Sequence, residues 1–346
     1  MVLSVEALGR FMRKYGRLQR GAVYYTTSLM SPRKSTAPGK MILSGEYAVI
    51  FGYPGIAIPA SCGVEVMWEN TDETPMKIVL SAGTSAEIPP RLDSGQAPSP
   101  LTGDESYARK IVDQCIQASV GPEPDKGRPA KRGPSTGTLT IRNQIPVGRG
   151  MGSSTALVIA ICKCLLRNEC KEQALAIENI VNPGNSGLDF AVIWANHPVT
   201  FRKGTAPEPV SLNLDFLKHC TLIDTGKPNE TTAELVAWMT LRGVYPESSR
   251  RAQDDTDVIA ALKTIGHCTE RLLAGENIMT VMHDHHRAQM ALGVVTPEAQ
   301  TIIADIEKKG GAAKVLGAGA RSGGGGMVLA LDKQQTKQEG SRAAGG

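Results

Sequence analysis

Residues 145–155 read IPVGRGMGSST. Gly148, Gly150 and Gly152 alternate with Arg149 and Met151, follow Pro146, and lead through Ser153, Ser154 and Thr155 into an apolar run. Glycines carry no Cβ, so their backbone N–H groups can come close to phosphate oxygens. A helix opening behind the loop adds unpaired N–H donors and the positive end of its dipole. Hydroxyls at that helix start can bond phosphate or ligate Mg²⁺. A plain capped helix would need fewer glycines. Two common nucleotide motifs are excluded by spacing. A P-loop requires Lys directly after its last glycine, where this chain has Ser153. A dinucleotide fingerprint requires GxGxxG near the first strand, with an acidic residue at a strand end about twenty positions on, and neither is present.

A second group is the run HDHH at 283–286. His283 and His286 fall three apart on one helical face, and imidazole is a common Zn²⁺ ligand. No Cys or further His lies nearby in sequence, so packing is the simpler reading. The seven cysteines follow no framework and include no CxxC pair, which favours reduced, packed thiols.

The elements that must hold the glycine loop follow from periodicity. KMILSGEYAVIFG, GIAIPASCGVEVMWE and residues 77–81 read as strands, and 138–145 as the strand feeding the loop. Helices are expected over 105–119 and 153–168, with another ending near Ile180. AVIWANHPVTFRKG reads as a strand pair. CTLIDTG opens a second unit, with helices near 231–242, 253–273, 275–291 and 297–309, then the glycine-interrupted strand pattern AAKVLGAGARSGGGGMVLAL. Residues 84–104 and 121–137 are Pro-, Gly- and Ser-rich loops. Strands and helices mix without strict alternation, which favours an α+β fold.

The chain has 346 residues, 41% of them hydrophobic, and no apolar run of transmembrane length. Net charge is +4, but residues 1–36 hold seven Lys/Arg against Glu6 alone, so the remainder is nearly neutral. That argues against nucleic acid as a partner. Leu8, Phe11, Met12 and Tyr15 share one helical face in this basic extension. It reads either as an organelle transit peptide or as an unstructured leader. The expected location is the cytoplasm, or an organelle if the extension is a transit peptide.

PVGRGMGSST is similar to the PxGxGLGSSAA motif of the GHMP kinases. APGKMILSGEYAVIFGYPGIAIPA (37–60) resembles the first motif of that family, and KVLGAGARSGGGGMVLAL (314–331) its third, KxTGAGxGGC. Among these kinases, ENIVNPGNSGLDFAV (178–192), LIDTGKPNETTAELVA (222–237) and HRAQMALGV (286–294) resemble segments of the mevalonate kinases, with Glu178 and Asp189 eleven apart. The resemblance implies a two-domain GHMP fold: a ribosomal-protein-S5-like N-terminal domain (37–216) and a ferredoxin-like C-terminal domain (217–332), with 1–36 as extension and 333–346 as tail. It implies ATP and Mg²⁺ as cofactors and mevalonate as acceptor, in isoprenoid precursor synthesis. Phosphomevalonate, a sugar, or ligand binding without catalysis are the alternatives. No membrane partner is implied, and a homodimer is compatible.

Carried onto this chain, the resemblance makes Asp189 the group that takes or orients the hydroxyl proton. Lys40 neutralises charge and lowers the hydroxyl's pKa. The resemblance makes Ser154 and Glu178 the Mg²⁺ ligands, and Pro146, Gly148, Arg149, Gly150, Met151, Gly152, Ser153, Ser154 and Thr155 the ATP-binding residues. Lys40, Glu46, Tyr47, Asp189, Gly317, Ala318 and Gly319 line the acceptor site. Three departures stand out. NPGN (182–185) replaces HGNP, Tyr47 replaces the usual His, and the third glycine loop is longer. Arg149 and Arg321 could each reach a phosphate or point to solvent.

Overall fold

The computed structural model describes residues 31–71, 73–82, 104–119, 135–183, 185, 187–244 and 252–332. The basic extension up to residue 30, almost all of the two Pro/Gly-rich loops and the tail from residue 333 lie outside the described residues.

The first strand, β1 (Arg33–Ser44), starts before residue 37, so four residues assigned to the extension belong to the sheet. It runs antiparallel to the long β2 (Gly55–Glu69). Along its other edge β2 pairs first with β5 (Val199–Phe201) and then with β4 (Thr138–Asn143). The short β6 (Glu208–Pro209) extends the sheet beyond β5, and β3 (Lys77–Ala82) pairs in parallel with β4. A second sheet has three antiparallel strands: β7 (Cys220–Asp224), β9 (Met327–Leu331) in the centre and β8 (Ala312–Val315). The two sheets divide the chain between Pro209 and Cys220. From Pro32 on, contacts join both into one unit.

Helices α1 (Asp104–Ser119), α2 (Ser153–Leu166), α3 (Lys171–Val181) and α4 (Leu188–Ala195) cluster with the first sheet. Helix α2 is apolar on every side because it is enclosed on every side, and ten of its fourteen residues are buried. The second unit supplies α5 (Thr232–Val244), α6 (Ala252–Leu273), α7 (Ile278–Leu292) and α8 (Pro297–Lys308). Ala299 and Ile303 of α8 pack on Val315, Val328 and Ala330 of the second sheet.

AVIWA, expected as strand, is the body of α4. A short apolar run does not separate a buried helix from a buried strand by periodicity. Here Gly187, at φ 77°, starts a helix, and Asn196, also left-handed, ends it. Only VTF after the turn joins the sheet. AVIF at Ala48–Phe51 is likewise a 3₁₀ turn rather than strand, stopped by Gly52 at φ 88°.

All seven cysteines are free. The Cys115 and Cys162 Sγ atoms lie 3.6 Å apart, sharing a thiol hydrogen bond and no disulfide. Burial pushes Cys164 and Cys268 up to about 11 and Cys170 and Cys220 up to about 12, which makes them packing groups rather than nucleophiles. No helix among the described residues is long and apolar enough to cross a membrane.

Candidate active site

Lys40 sits where β1 breaks register. The pairing with β2 shifts between Pro38 and Lys40, and such irregularities re-aim side chains. The Lys40 N–H donates to the Met151 carbonyl at 2.9 Å, joining the first motif to the glycine loop. Its ammonium, nearly buried, lies 3.0 Å from Asp189 Oδ1. Asp189 occupies the first turn of α4, where a carboxylate is favoured by the helix dipole, and stays 35% exposed. The two residues assigned to catalysis are therefore in contact, one buried cation holding one accessible anion.

The glycine loop closes over this pair. Gly148, Gly150 and Gly152 all have positive φ, 71°, 73° and 73°. Gly152 caps α2 with no side-chain cap, so the first-turn N–H groups of that helix keep their donor capacity. A Cβ on Gly152 would stand 2.9 Å from Lys40 Cγ, 3.0 Å from Ile193 Cδ1 and 3.5 Å from Asp189 Oδ2. The helix start, the lysine and the aspartate thus share one small volume. Ser153 is half-buried and Ser154 exposed there, while Met151 is packed in the core. Pro146 is half-buried ahead of the loop.

Thr155, rather than Ser154, donates its hydroxyl to Glu178 Oε1, at 2.7 Å. Glu178 is buried on α3. Burial pushes its carboxyl above the usual range, Thr155 and Asn182 pull it back, and the Asp189 charge adds to the rise. Its Oε2 is buried without a hydrogen-bond partner. Among the described residues no three His, Cys, Asp or Glu side chains group closely enough to hold a metal by themselves. An unsatisfied carboxylate oxygen, with Ser154 at the loop edge and phosphates brought by a nucleotide, nevertheless fits Mg²⁺. That ion commonly binds through one or two carboxylates plus phosphate and water.

Glu46 and Tyr47 take partners on the second sheet, on α7 and in the third loop. Glu46 is buried against Lys314 of β8, whose ammonium donates to Glu46 Oε1 and to the carbonyls of Leu43 and Ile42 at 3.1 and 3.2 Å. His285 Nε2 lies 2.9 Å from Glu46 Oε2. Lys314 and His285 hold the Glu46 carboxyl down to about 2 against the opposing effect of burial. Burial lowers His285, which keeps it neutral, so Lys314 is the balancing cation. Tyr47 has left-handed φ, 61°, and its hydroxyl donates to the Ala318 carbonyl. Both polar ends are thus spent on joining the first motif to the third.

The third loop divides its tasks. Gly317 lies against Gly150, its ideal Cβ 3.5 Å from the Gly150 carbonyl oxygen. Gly319 packs on the chain after α7, where a Cβ would fall 2.1 Å from the Val294 oxygen. The extra residues fold over the turn after β7. Ser322 donates to Glu230 at 2.8 Å, and the Arg321 guanidinium stacks 4.4 Å from the Trp238 ring centre. Arg149 also goes neither to solvent nor to an open anion site, since its Nε donates to Asp224 Oδ1 at 2.7 Å. His283 pairs with Glu307 at 2.7 Å.

Sequence reasoning passed over Asp224, His285 and the pairing role of Lys314. Asp224 lies within the DTG segment and Lys314 at the head of the third motif. Nothing local marks their partners, which lie 75 and 268 positions away.

The 148–152 loop thus lies over the Lys40–Asp189 contact, and Gly317 of the third motif lies against Gly150. Residues 114–195 match the family described as GHMP kinases N terminal domain. The chain is 27% identical over 344 residues to the mevalonate kinase of Thermococcus gammatolerans, covering 90% of this chain and 93% of that protein. Its fold is similar to that of the Methanococcus jannaschii mevalonate kinase, with TM-score 0.63, 20% identity, and 90% and 93% of the two chains covered. The L. major mevalonate kinase in complex with R-mevalonate superposes with TM-score 0.63 at 17% identity, over 88% and 89% of the chains.

Proposed function

We propose that this protein transfers the γ-phosphoryl group of ATP to the 5-hydroxyl of mevalonate, in isoprenoid precursor synthesis. The observation that carries this reading is the Lys40–Asp189 contact at 3.0 Å beneath Gly152 and the uncapped start of α2. Phosphoryl transfer depends mainly on positioning and charge stabilisation, and these parts supply both. Residues 148–154 and the α2 N-terminus offer N–H donors to the ATP phosphates. Asp189, exposed on one side, accepts the proton of the attacking hydroxyl. Lys40, fixed by its backbone bond to Met151, places a positive charge beside Asp189 and the incoming oxygen. Glu178 and Ser154 would hold Mg²⁺, whose chemistry is to neutralise phosphate charge. Gly317 against Gly150 closes the loop from the second sheet.

Support for mevalonate over other acceptors comes from the similarity to mevalonate kinases over 90% of the chain. A coupled assay of ADP release with mevalonate, 5-phosphomevalonate and galactose tests it. Mevalonate is expected to be the acceptor used. Turnover with one of the others instead reassigns the acceptor. No turnover with any of them, alongside clean ATP binding, identifies a ligand-binding protein without catalysis. The variant Asp189→Ala should lose turnover while keeping ATP binding, and normal turnover by it would remove Asp189 from the mechanism.

A further inference from the structure

Within the glycine loop each intervening residue is an anchor. Met151 is 1% exposed in the core, and its carbonyl accepts the Lys40 N–H. Arg149 leaves the loop for the second sheet, where its Nε meets Asp224 Oδ1 at 2.7 Å, with both side chains largely buried. Asp224 ends β7 and is itself held rigidly. The same Oδ1 accepts the Gly226 N–H at 2.9 Å. Gly226 and Gly326 are joined by a backbone bond at 3.0 Å, and Thr225 donates its N–H to the Gly326 carbonyl at 2.9 Å. The Lys227 stem lies over Gly148, whose ideal Cβ would be 3.4 Å from Lys227 Cε.

We propose that the Arg149–Asp224 ion pair is a clamp that holds the glycine loop in its nucleotide-receiving shape, and that Asp224 is a positioning residue for the ATP polyphosphate. The inference rests on the kinase reading above. Three glycines in five residues would otherwise leave the loop many conformations to lose on binding. Fixing the residues between them removes that loss beforehand, which strengthens binding without adding a contact to the ligand. Met151 fixes one side from the first sheet, and Arg149 fixes the other from the second. The loop is therefore shaped only when both sheets are in place.

The opposite effect is physically conceivable, and the sign of the result separates the two. If Asp224 merely restrained Arg149 from reaching phosphate, freeing the guanidinium would tighten nucleotide binding. Titration calorimetry of the full chain with Mg²⁺ and a non-hydrolysable ATP analogue reads this directly. Asp224→Asn keeps an oxygen for the Gly226 N–H while removing the charge, and Arg149→Met keeps length without charge. Each variant is expected to weaken nucleotide binding about tenfold, and the double variant no more than either single, because one interaction is lost in all three. KM for ATP should rise in parallel, while for Asp224→Asn kcat at saturating ATP and KM for the acceptor stay within about twofold of the parent, as uniform-binding losses do. Unchanged or tighter binding overturns the clamp, as do additive losses in the double variant or a fall in kcat without a change in affinity. If the parent chain itself fails to bind the analogue, the kinase reading fails instead.

Discussion

Replacing Lys314 by Met should be among the most damaging single changes outside the Lys40–Asp189 pair. The ammonium serves three acceptors, Glu46 Oε1 and the carbonyls of Leu43 and Ile42, and the side chains of both Lys314 and Glu46 are 1% exposed. Methionine keeps the volume, so little of the loss is cavity. What remains is a buried carboxylate facing a neutral His285. Removing one partner of a buried ion pair typically costs about 3–5 kcal/mol, because the other charge is left uncompensated. At roughly 2–4 °C per kcal/mol for a chain of this size, the melting temperature should fall by roughly 6–20 °C. The intact pair is worth much less than that figure. Burial lowers Lys314 just as its charge lowers Glu46, so part of the attraction offsets desolvation. The double variant Lys314→Met/Glu46→Gln, which removes the stranded charge, should accordingly recover more than half of the loss. Urea and thermal unfolding at pH 7 of parent, single and double variants provide the comparison. A single variant within about 1 kcal/mol of the parent, or a double variant no better than the single, would refute the reasoning.

Gly152→Ala should lower kcat by about 10–100-fold with the protein still folded. A left-handed alanine costs only about 1–2 kcal/mol, but its Cβ would push into the Lys40 stem at 2.9 Å and displace the pair; undiminished kcat would mean the loop does not set the Lys40 position. Tyr47→Phe should cost about 1 kcal/mol of stability through the lost bond to Ala318 and leave the acceptor KM unchanged, and a large KM increase would put the hydroxyl in the acceptor site instead. Stability should decline in acid in two stages. His285 has a folded pKa below 6.5, so the unfolded chain takes up its proton first and stability falls below that pH. Glu46, held at about 2 rather than 4.5, contributes stability above pH 4.5 that disappears as pH falls towards 2. Unfolding midpoints measured from pH 8 to pH 3 that stay flat would contradict both assignments.

The alternation of glycine with Arg149 and Met151, the serines opening α2 and the eleven-residue spacing of Glu178 and Asp189 were legible in the sequence because each is a local feature. The α+β class and nearly every helix followed from periodicity for the same reason. Residues 191–195 were misread because five apolar residues in a row satisfy either a buried helix or a buried strand. The choice between them came from the left-handed turns at Gly187 and Asn196 and from packing. Glu46 and Tyr47, adjacent to each other in a motif that resembles a substrate-binding one, are turned into the joint between motifs by partners on β8, on α7 and in the third loop.

By itself, then, the sequence determined that an alternating glycine loop opens an apolar helix, and its resemblance to the GHMP kinases implied that Lys40, Glu178 and Asp189 belong with it. Tertiary structure decided which groups actually meet. Arg149 finds Asp224, Thr155 takes the hydrogen bond at Glu178, and Lys314 neutralises Glu46, across separations of 75, 23 and 268 residues. A charged side chain records in sequence only that it needs a partner. Which partner it receives depends on how two sheets come together, because burial makes an unmatched charge costly and packing leaves each one a single place to be matched.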